Sequence, residues 1–293
     1  MQIEKLIPEY KDYIWGGNKL KTLYNKQTDK TPCAESWELS FHKDGLTRLE
    51  NGKTLLETVT EQDLGNAVKA FSFFPVLIKF IDAKENLSVQ VHPDDEYALK
   101  TANSLGKTEM WYVVEAEDGA GLYLGFNGNY TVEEVKRAID DNTITDLLRF
   151  YPVKAGEAYF IPAGTVHAIG KGCLICEIQQ NSNITYRFYD YGRGRQLHLE
   201  QAFAVSKFEP YQFPNFAKNI LAECKYFSVE KLDIKSSLVL QTDGSTFHCL
   251  TCVNGSGFID GQPIALGDSY FVPANYGEYR LEGNISLIKT SLF

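Results

Sequence analysis

The stretch SVQVHPDDEYA, residues 88–98, alternates like a strand and then stops at His-Pro and a run of acids. Alternate residues of a strand share a face, so Ser88, Gln90 and His92 lie together, with Val89 and Val91 opposite. Gln90 and His92 therefore offer an amide oxygen and an imidazole side by side. A solvent-facing strand would show this pattern, and so would the wall of a metal site. The next acid to open a β-run is Glu109, in GKTEMWYVV, and His167 follows a turn in GEAYFIPAGTVH.

Three cations accompany these donors. Lys79, in PVLIKFI, shares its strand face with Leu77 and Ile81. A lysine on an apolar face is costly unless paired, so an anionic partner is expected there. Lys107 stands two residues before Glu109, and Arg187 alternates with Tyr186 and Phe188 in ITYRFYDY. Arg193 and Arg195, in YGRGRQ, read as a solvated loop. The formal net charge of −9 and pI near 5.2 argue against nucleic acid as a partner, since that requires a basic face. An anionic small molecule remains compatible if cations are concentrated around it.

The elements that must position these residues are mostly short β-runs between Gly, Pro and Asn, from FPVLIKFI and LSVQVH to SYFVPA and ISLIKTSL. With 44% apolar and 13% aromatic residues, the 293-residue chain can bury a sizeable core. DDEYALKTAN reads as a helix opened by acids. TVEEVKRAIDD has Thr131 and Glu134 at capping-box spacing, which predicts a small helical insert at about 129–150. EQDLGNAVKAF is a further helical segment. GEAYFIPAGTVHAIG (156–170) and GDSYFVPANYGEYRL (267–281) are two copies of one β-unit, but the second has Glu278 where the first has His167. His248 has no partner ligands at suitable spacing. A boundary is expected near 205–220. Cys173/Cys176 and Cys249/Cys252 have CxxC spacing but sit in strand-like runs, where residues three apart face opposite ways, so they are not read as metal ligands. The N-terminus has no signal-peptide core, and the most apolar run is too short to span a bilayer; a cytoplasmic protein without a membrane partner is expected.

Gly156, five residues, Pro162, x, Gly164, two residues and His167 resemble the second cupin motif. The first motif, usually His-x-His and a Glu, has its counterpart in Gln90-x-His92 with Glu109. LSVQVHPDDEYA, GKTEMWY, PAGTVHAIG and EIQQNSNITYRFYDYGR together resemble the type I mannose-6-phosphate isomerases in their short bacterial form. WGG (15–17) and AESWELS (34–40) fit the same family. The resemblance carries specific motifs from about residue 8 to 200 and is looser beyond.

The resemblance implies a mainly β fold of two cupin-type (jelly-roll) β-barrels. A catalytic metal-binding domain would span 1–210, and a degenerate second cupin without ligands 211–293. It implies one zinc ion per chain on Gln90, His92, Glu109 and His167, with Arg187 and Lys107 catalytic and Lys79, Ser88 and position 183 lining the substrate pocket. The implied reaction interconverts mannose 6-phosphate and fructose 6-phosphate through an enediol(ate), with a sugar phosphate as the only partner and a monomer or weak homodimer as the state. One departure stands out: family members usually carry Asp four residues before the arginine, where this chain has Asn183. The carbon base is open between Lys107 and a metal-linked carboxylate or water. The rival readings are an isomerase of another aldose phosphate, an iron oxygenase, and a non-catalytic metal- and sugar-phosphate-binding cupin. The cations disfavour the oxygenase, because dioxygen needs no anion clamp.

Overall fold

The computed structural model describes residues 1–292. The chain is mainly β, as expected, and divides into two compact units that are not contiguous in sequence. One comprises Met1–Tyr13, Asn18–Phe80 and the chain from Asn215 onward; the other comprises Ile14–Gly17 and Ile81–Pro214.

The first unit contains a nine-stranded antiparallel sheet. Its long strands, His248–Ile259 and Gly277–Ser291, pair along most of their length, and Ser228–Ile234 adds to the outer side. The N-terminal strand Glu4–Ile7 is built into the same sheet, with Glu4 opposite Phe271 and Leu6 opposite Leu49. Leu250, Tyr270, Val272, Leu281 and Leu287 pack into one core on it.

The second unit carries a five-stranded sheet in the order Leu148–Pro152, Gly121–Phe126, His167–Ile169, Val89–Val91, Tyr186–Tyr189. Ala158–Ile161, Glu109–Ala116 and Cys173–Gln180 pair with one another, in that order. These sheets agree with the mainly β, cupin-type fold expected, with hydrogen bonding that is open rather than closed into a ring. Val89–Val91 and His167–Ile169 have only three residues each. The first is cut off by His92-Pro93, because proline cannot donate to a ladder.

Val89 and Val91 face a core containing Phe126, Val135, Ile139 and Phe188. The insert covers that core. Thr131 and Glu134 form the expected capping box, starting the helix Val132–Asp140, which buries Val135, Ala138 and Ile139. Burying Val135 and Ile139 contributes about 1.5–3 kcal/mol each. A 3-10 turn, Ile144–Leu147, completes the insert. The DDEYALKTAN helix runs Asp95–Ala102, capped by Asp94, whose side chain accepts from Tyr97 N. The weaker helical segment splits at Gly65 into the helix Glu61–Leu64 and a 3-10 turn, Asn66–Ala70. With the valines turned to the helices, the opposite face of the sheet is left to Gln90 and its neighbours.

Candidate metal centre

Strand register assembles the site. His167 lies directly opposite Gln90 on one neighbouring strand, and Arg187 lies opposite Gln90 on the other. Directly opposed residues share a face, so the three form a row across the sheet. Ser88, two residues before Gln90, places Oγ 3.4 Å from Gln90 Oε1. Glu109 enters from the paired strands and is fully buried. Its Oε1 lies 3.2 Å from His167 Nε2 and its Oε2 3.7 Å from His92 Nε2. Among the described residues, His92, Glu109 and His167 are the one group of three or more His, Cys, Asp or Glu side chains that converge to hold a metal ion.

Both imidazoles are oriented by a backbone carbonyl. His92 Nδ1 lies 2.7 Å from Ile184 O, and His167 Nδ1 lies 2.9 Å from Thr165 O. A carbonyl can only accept, so each Nδ1 carries the proton and each Nε2 presents its lone pair toward Glu109. This is the arrangement by which metal-ligating histidines are held. Burial pushes His167 down to about 4, partly opposed by the Thr165 carbonyl and reinforced by the Lys107 ammonium, so the ring is neutral as a ligand must be. The turn before His167 depends on Gly164, at φ +85, where a Cβ would meet Val205 O at 2.9 Å. Gly164 N donates to His92 O, tying the two motifs together.

The donors fit a small divalent metal. Ligands at about 2.1 Å from a tetrahedral ion stand about 3.4 Å apart, and the separations among Glu109, His92 and His167 bracket that value. Gln90 places its amide 3.4 Å from His167 Nε2. The amide nitrogen is drawn there, but nitrogen and oxygen exchange by a simple flip that would bring the oxygen inward.

Lys107 is buried, with Nζ 2.7 Å from Glu109 Oε2 and 3.1 Å from His92 Nε2. Arg187 is half-buried; its backbone N–H donates to His198 Nδ1 at 3.3 Å. Asn183 is exposed, in the turn whose next residue receives the His92 proton. Lys79 belongs to the other compact unit. The anion expected beside it is Glu35, whose Oε2 lies 3.5 Å from Nζ and also accepts from Trp37 Nε1.

Several contributors escape sequence reading. Trp111 packs edge-on against His167, with ring centroids 5.3 Å apart, and donates Nε1–H to Glu177 Oε1 at 2.7 Å. Their positions two residues from Glu109 and Gln179 were the available signal, since Gln179 lies opposite Glu109 and Glu177 opposite Trp111. His198, Gln180 and Asp95 have no local signal at all.

The second β-unit lacks this constellation: Glu278 is exposed, and His248 is buried with Nδ1 2.8 Å from the Tyr279 hydroxyl. The four CxxC cysteines are buried free thiols; burial pushes Cys252 up to about 12 and Cys249 further.

Comparison with known proteins agrees over most of the chain. Two family models match, the type I phosphomannose isomerase catalytic domain over residues 3–117 and the mannose-6-phosphate isomerase cupin domain over residues 217–292. Among curated proteins, a probable mannose-6-phosphate isomerase of Bacillus subtilis, GmuF, is 35% identical over 303 residues, 95% of each chain. The mannose-6-phosphate isomerase of Streptococcus mutans is 34% identical over 299 residues, 94% of this chain and 93% of that one. The crystal structure of the Bacillus subtilis mannose 6-phosphate isomerase superposes with a TM-score of 0.88 at 31% identity, covering 99% of both chains.

Proposed function

The chain belongs to the type I phosphomannose isomerase family, and from that premise we propose that it interconverts mannose 6-phosphate and fructose 6-phosphate at the Gln90–His92–Glu109–His167 centre. It is an isomerase of the aldose–ketose class. The convergence of three buried donor side chains, each histidine with its Nε2 turned inward, is the observation that carries the reading.

Gln90, His92, Glu109 and His167 would hold the metal, which by family is expected to be zinc. When bound it supplies Lewis acidity toward the sugar oxygens. The reaction removes the proton from C2 of the aldose and returns one to C1, while a proton passes between the two oxygens through an enediol(ate). Lys107, buried against Glu109, supplies positive charge beside the reacting oxygens and is the nearest side chain able to carry a proton. Arg187, in the same row as Gln90, stabilises the enediolate charge. Ser88 orients the sugar, and position 183 closes the pocket. The metal-binding function is assigned to residues 1–210, and the 211–293 cupin works without metal ligands. Among the described residues no helix is long and apolar enough to cross a membrane. By its family we assign the enzyme to the cytoplasm.

A coupled assay for fructose 6-phosphate tests this on the protein as purified, after chelation, and with zinc restored. Loss with chelator and recovery with zinc supports the reading. A folded, zinc-loaded protein inert toward mannose 6-phosphate overturns it; turnover of a different aldose phosphate would then redirect it, and binding without turnover would leave a sugar-phosphate-binding cupin.

A further inference from the structure

Lys107 sits in a loop between the helix Asp95–Ala102 and the strand Glu109–Ala116, where a free lysine would sample many positions. The peptide groups on either side of it are clamped by one pair of side chains. Gly106 N donates to Asp95 Oδ1 at 2.9 Å, and Thr108 N donates to Gln180 Oε1 at 2.8 Å. Gln180 Nε2 then donates to the same Asp95 Oδ1 at 2.7 Å, closing the bracket. Backbone bonds complete it: Lys107 N donates to Pro93 O, and Gln180 N to Thr108 O, both at 3.0 Å.

The bracket has no slack. Gln180 is fully buried, and its amide orientation is fixed because Oε1 faces an N–H donor and Nε2 faces a carboxylate. Gly106 packs against the helix start so closely that a Cβ would meet Asp94 C at 2.5 Å and Asp95 N at 2.7 Å. Asp95 is a first-turn residue of its helix, where a carboxylate is already favoured.

We infer that Asp95 and Gln180 are positioning residues that aim Lys107 at Glu109 and the reacting oxygens. The inference rests on the proposed role of Lys107. A loop lysine held at both flanking peptides keeps its ammonium within the narrow range that proton transfer and charge stabilisation require, and displacements near 1 Å are costly to rate. Neither side chain touches the substrate, so the effect falls on turnover rather than on binding.

The test measures kcat, KM, zinc content and thermal midpoint of the holoenzyme for Gln180→Glu, Asp95→Asn, Gln180→Met and Lys107→Met. Gln180→Glu sets two carboxylates against each other with no hydrogen between them. It is expected to lower kcat about tenfold, with KM and zinc content near wild type. Asp95→Asn keeps the acceptor for Gly106 N and costs less. Amide hydrogen exchange at Gly106 and Thr108 accelerates in Gln180→Glu, with or without zinc, and less so in Asp95→Asn. Gln180→Met removes the side-chain bonds without adding charge and lowers kcat in the same way.

A kcat within twofold of wild type in Gln180→Glu or Gln180→Met overturns the inference, whatever happens to the thermal midpoint. So does a loss of kcat in these variants with no faster amide exchange at Gly106 and Thr108. If neither Gln180 variant folds into a zinc-binding protein, the bracket is part of folding and not of positioning. If Lys107→Met retains wild-type kcat, the role given to Lys107 is what fails, and the positioning inference falls with it.

Discussion

Lys107 Nζ and Glu109 Oε2 lie 2.7 Å apart with both side chains buried, so the site sets a fixed ammonium against one of its own metal-binding carboxylates. Removing each member should therefore have a different signature. Glu109→Gln is expected to lower zinc content below half occupancy and abolish turnover, because a neutral amide is a poor replacement for an anionic oxygen donor. Lys107→Met should keep zinc bound while lowering kcat by about 10²-fold, the scale of a lost acid–base or electrostatic group. Metal analysis beside steady-state kinetics separates the two. Loss of zinc in Lys107→Met would show that the ammonium supports the ligand set rather than the reaction.

Two buried histidines give the metal-free protein a pH dependence whose sign follows from their surroundings. Burial pushes both His167 and His248 down to about 4; Lys107 reinforces it at the first and Lys289 at the second. Between about pH 6.5 and 4 the unfolded chain binds protons on these rings that the folded chain does not. Stability is therefore complete above about 6.5 and is lost as pH falls toward 4, by at most about 3 kcal/mol for each ring. Asp190 acts in a lower window: burial alone would raise its carboxyl, but Arg195 and Arg193 hold it below its usual range. Urea unfolding of chelated protein across this range measures the slope, and His248→Gln should remove about half of it. A free energy flat from neutral pH to 5 would contradict the burial seen at both rings.

Asn183 stands where the resemblance implies Asp, and its setting predicts a small effect. The residue is exposed, and the work of the turn is done by its neighbours: Ile184 O holds His92, and Ser182 Oγ donates to Leu105 O. A solvated carboxylate at an exposed site interacts weakly with surrounding charge. Asn183→Asp should accordingly leave kcat within about threefold of wild type and the thermal midpoint unchanged. A rise of tenfold or more would mean that the acid has a direct part in the reaction and that this chain works without it.

How much of this was legible beforehand depends on whether the information is local. Alternation placed Ser88, Gln90 and His92 on one face, and the Gly156–Pro162–Gly164–His167 frame marked a turn that needs glycine at φ +85. The capping box at Thr131 was readable because its partners are three residues apart. What sequence could not carry is pairing between distant strands. The row from His167 through Gln90 to Arg187 depends on two separate registers. The bracket on Lys107 joins a helix start to a strand end, and Glu4–Ile7 adds its edge to strands from the far end of the chain.

Lys79 shows where a local reading named the need without the partner, and it yields the last prediction. Its apolar strand face called for an anion, which is Glu35, 3.5 Å away and nearly as buried. The pair is close to the face of Trp37, with Nζ 5.7 Å from the ring centroid, while the indole N–H is committed to the same carboxylate. Lys79→Met leaves Glu35 buried with one donor and no counter-charge, which should destabilise the protein by about 3 kcal/mol. Glu35→Gln in the same background neutralises the orphaned charge and keeps an acceptor for Trp37, so the double variant should regain more than half of that. Urea midpoints of the four proteins close the cycle. If Lys79 also serves the sugar phosphate, KM of the stabilised double variant stays raised at least tenfold although its fold is restored; a wild-type KM there would confine Lys79 to the ion pair.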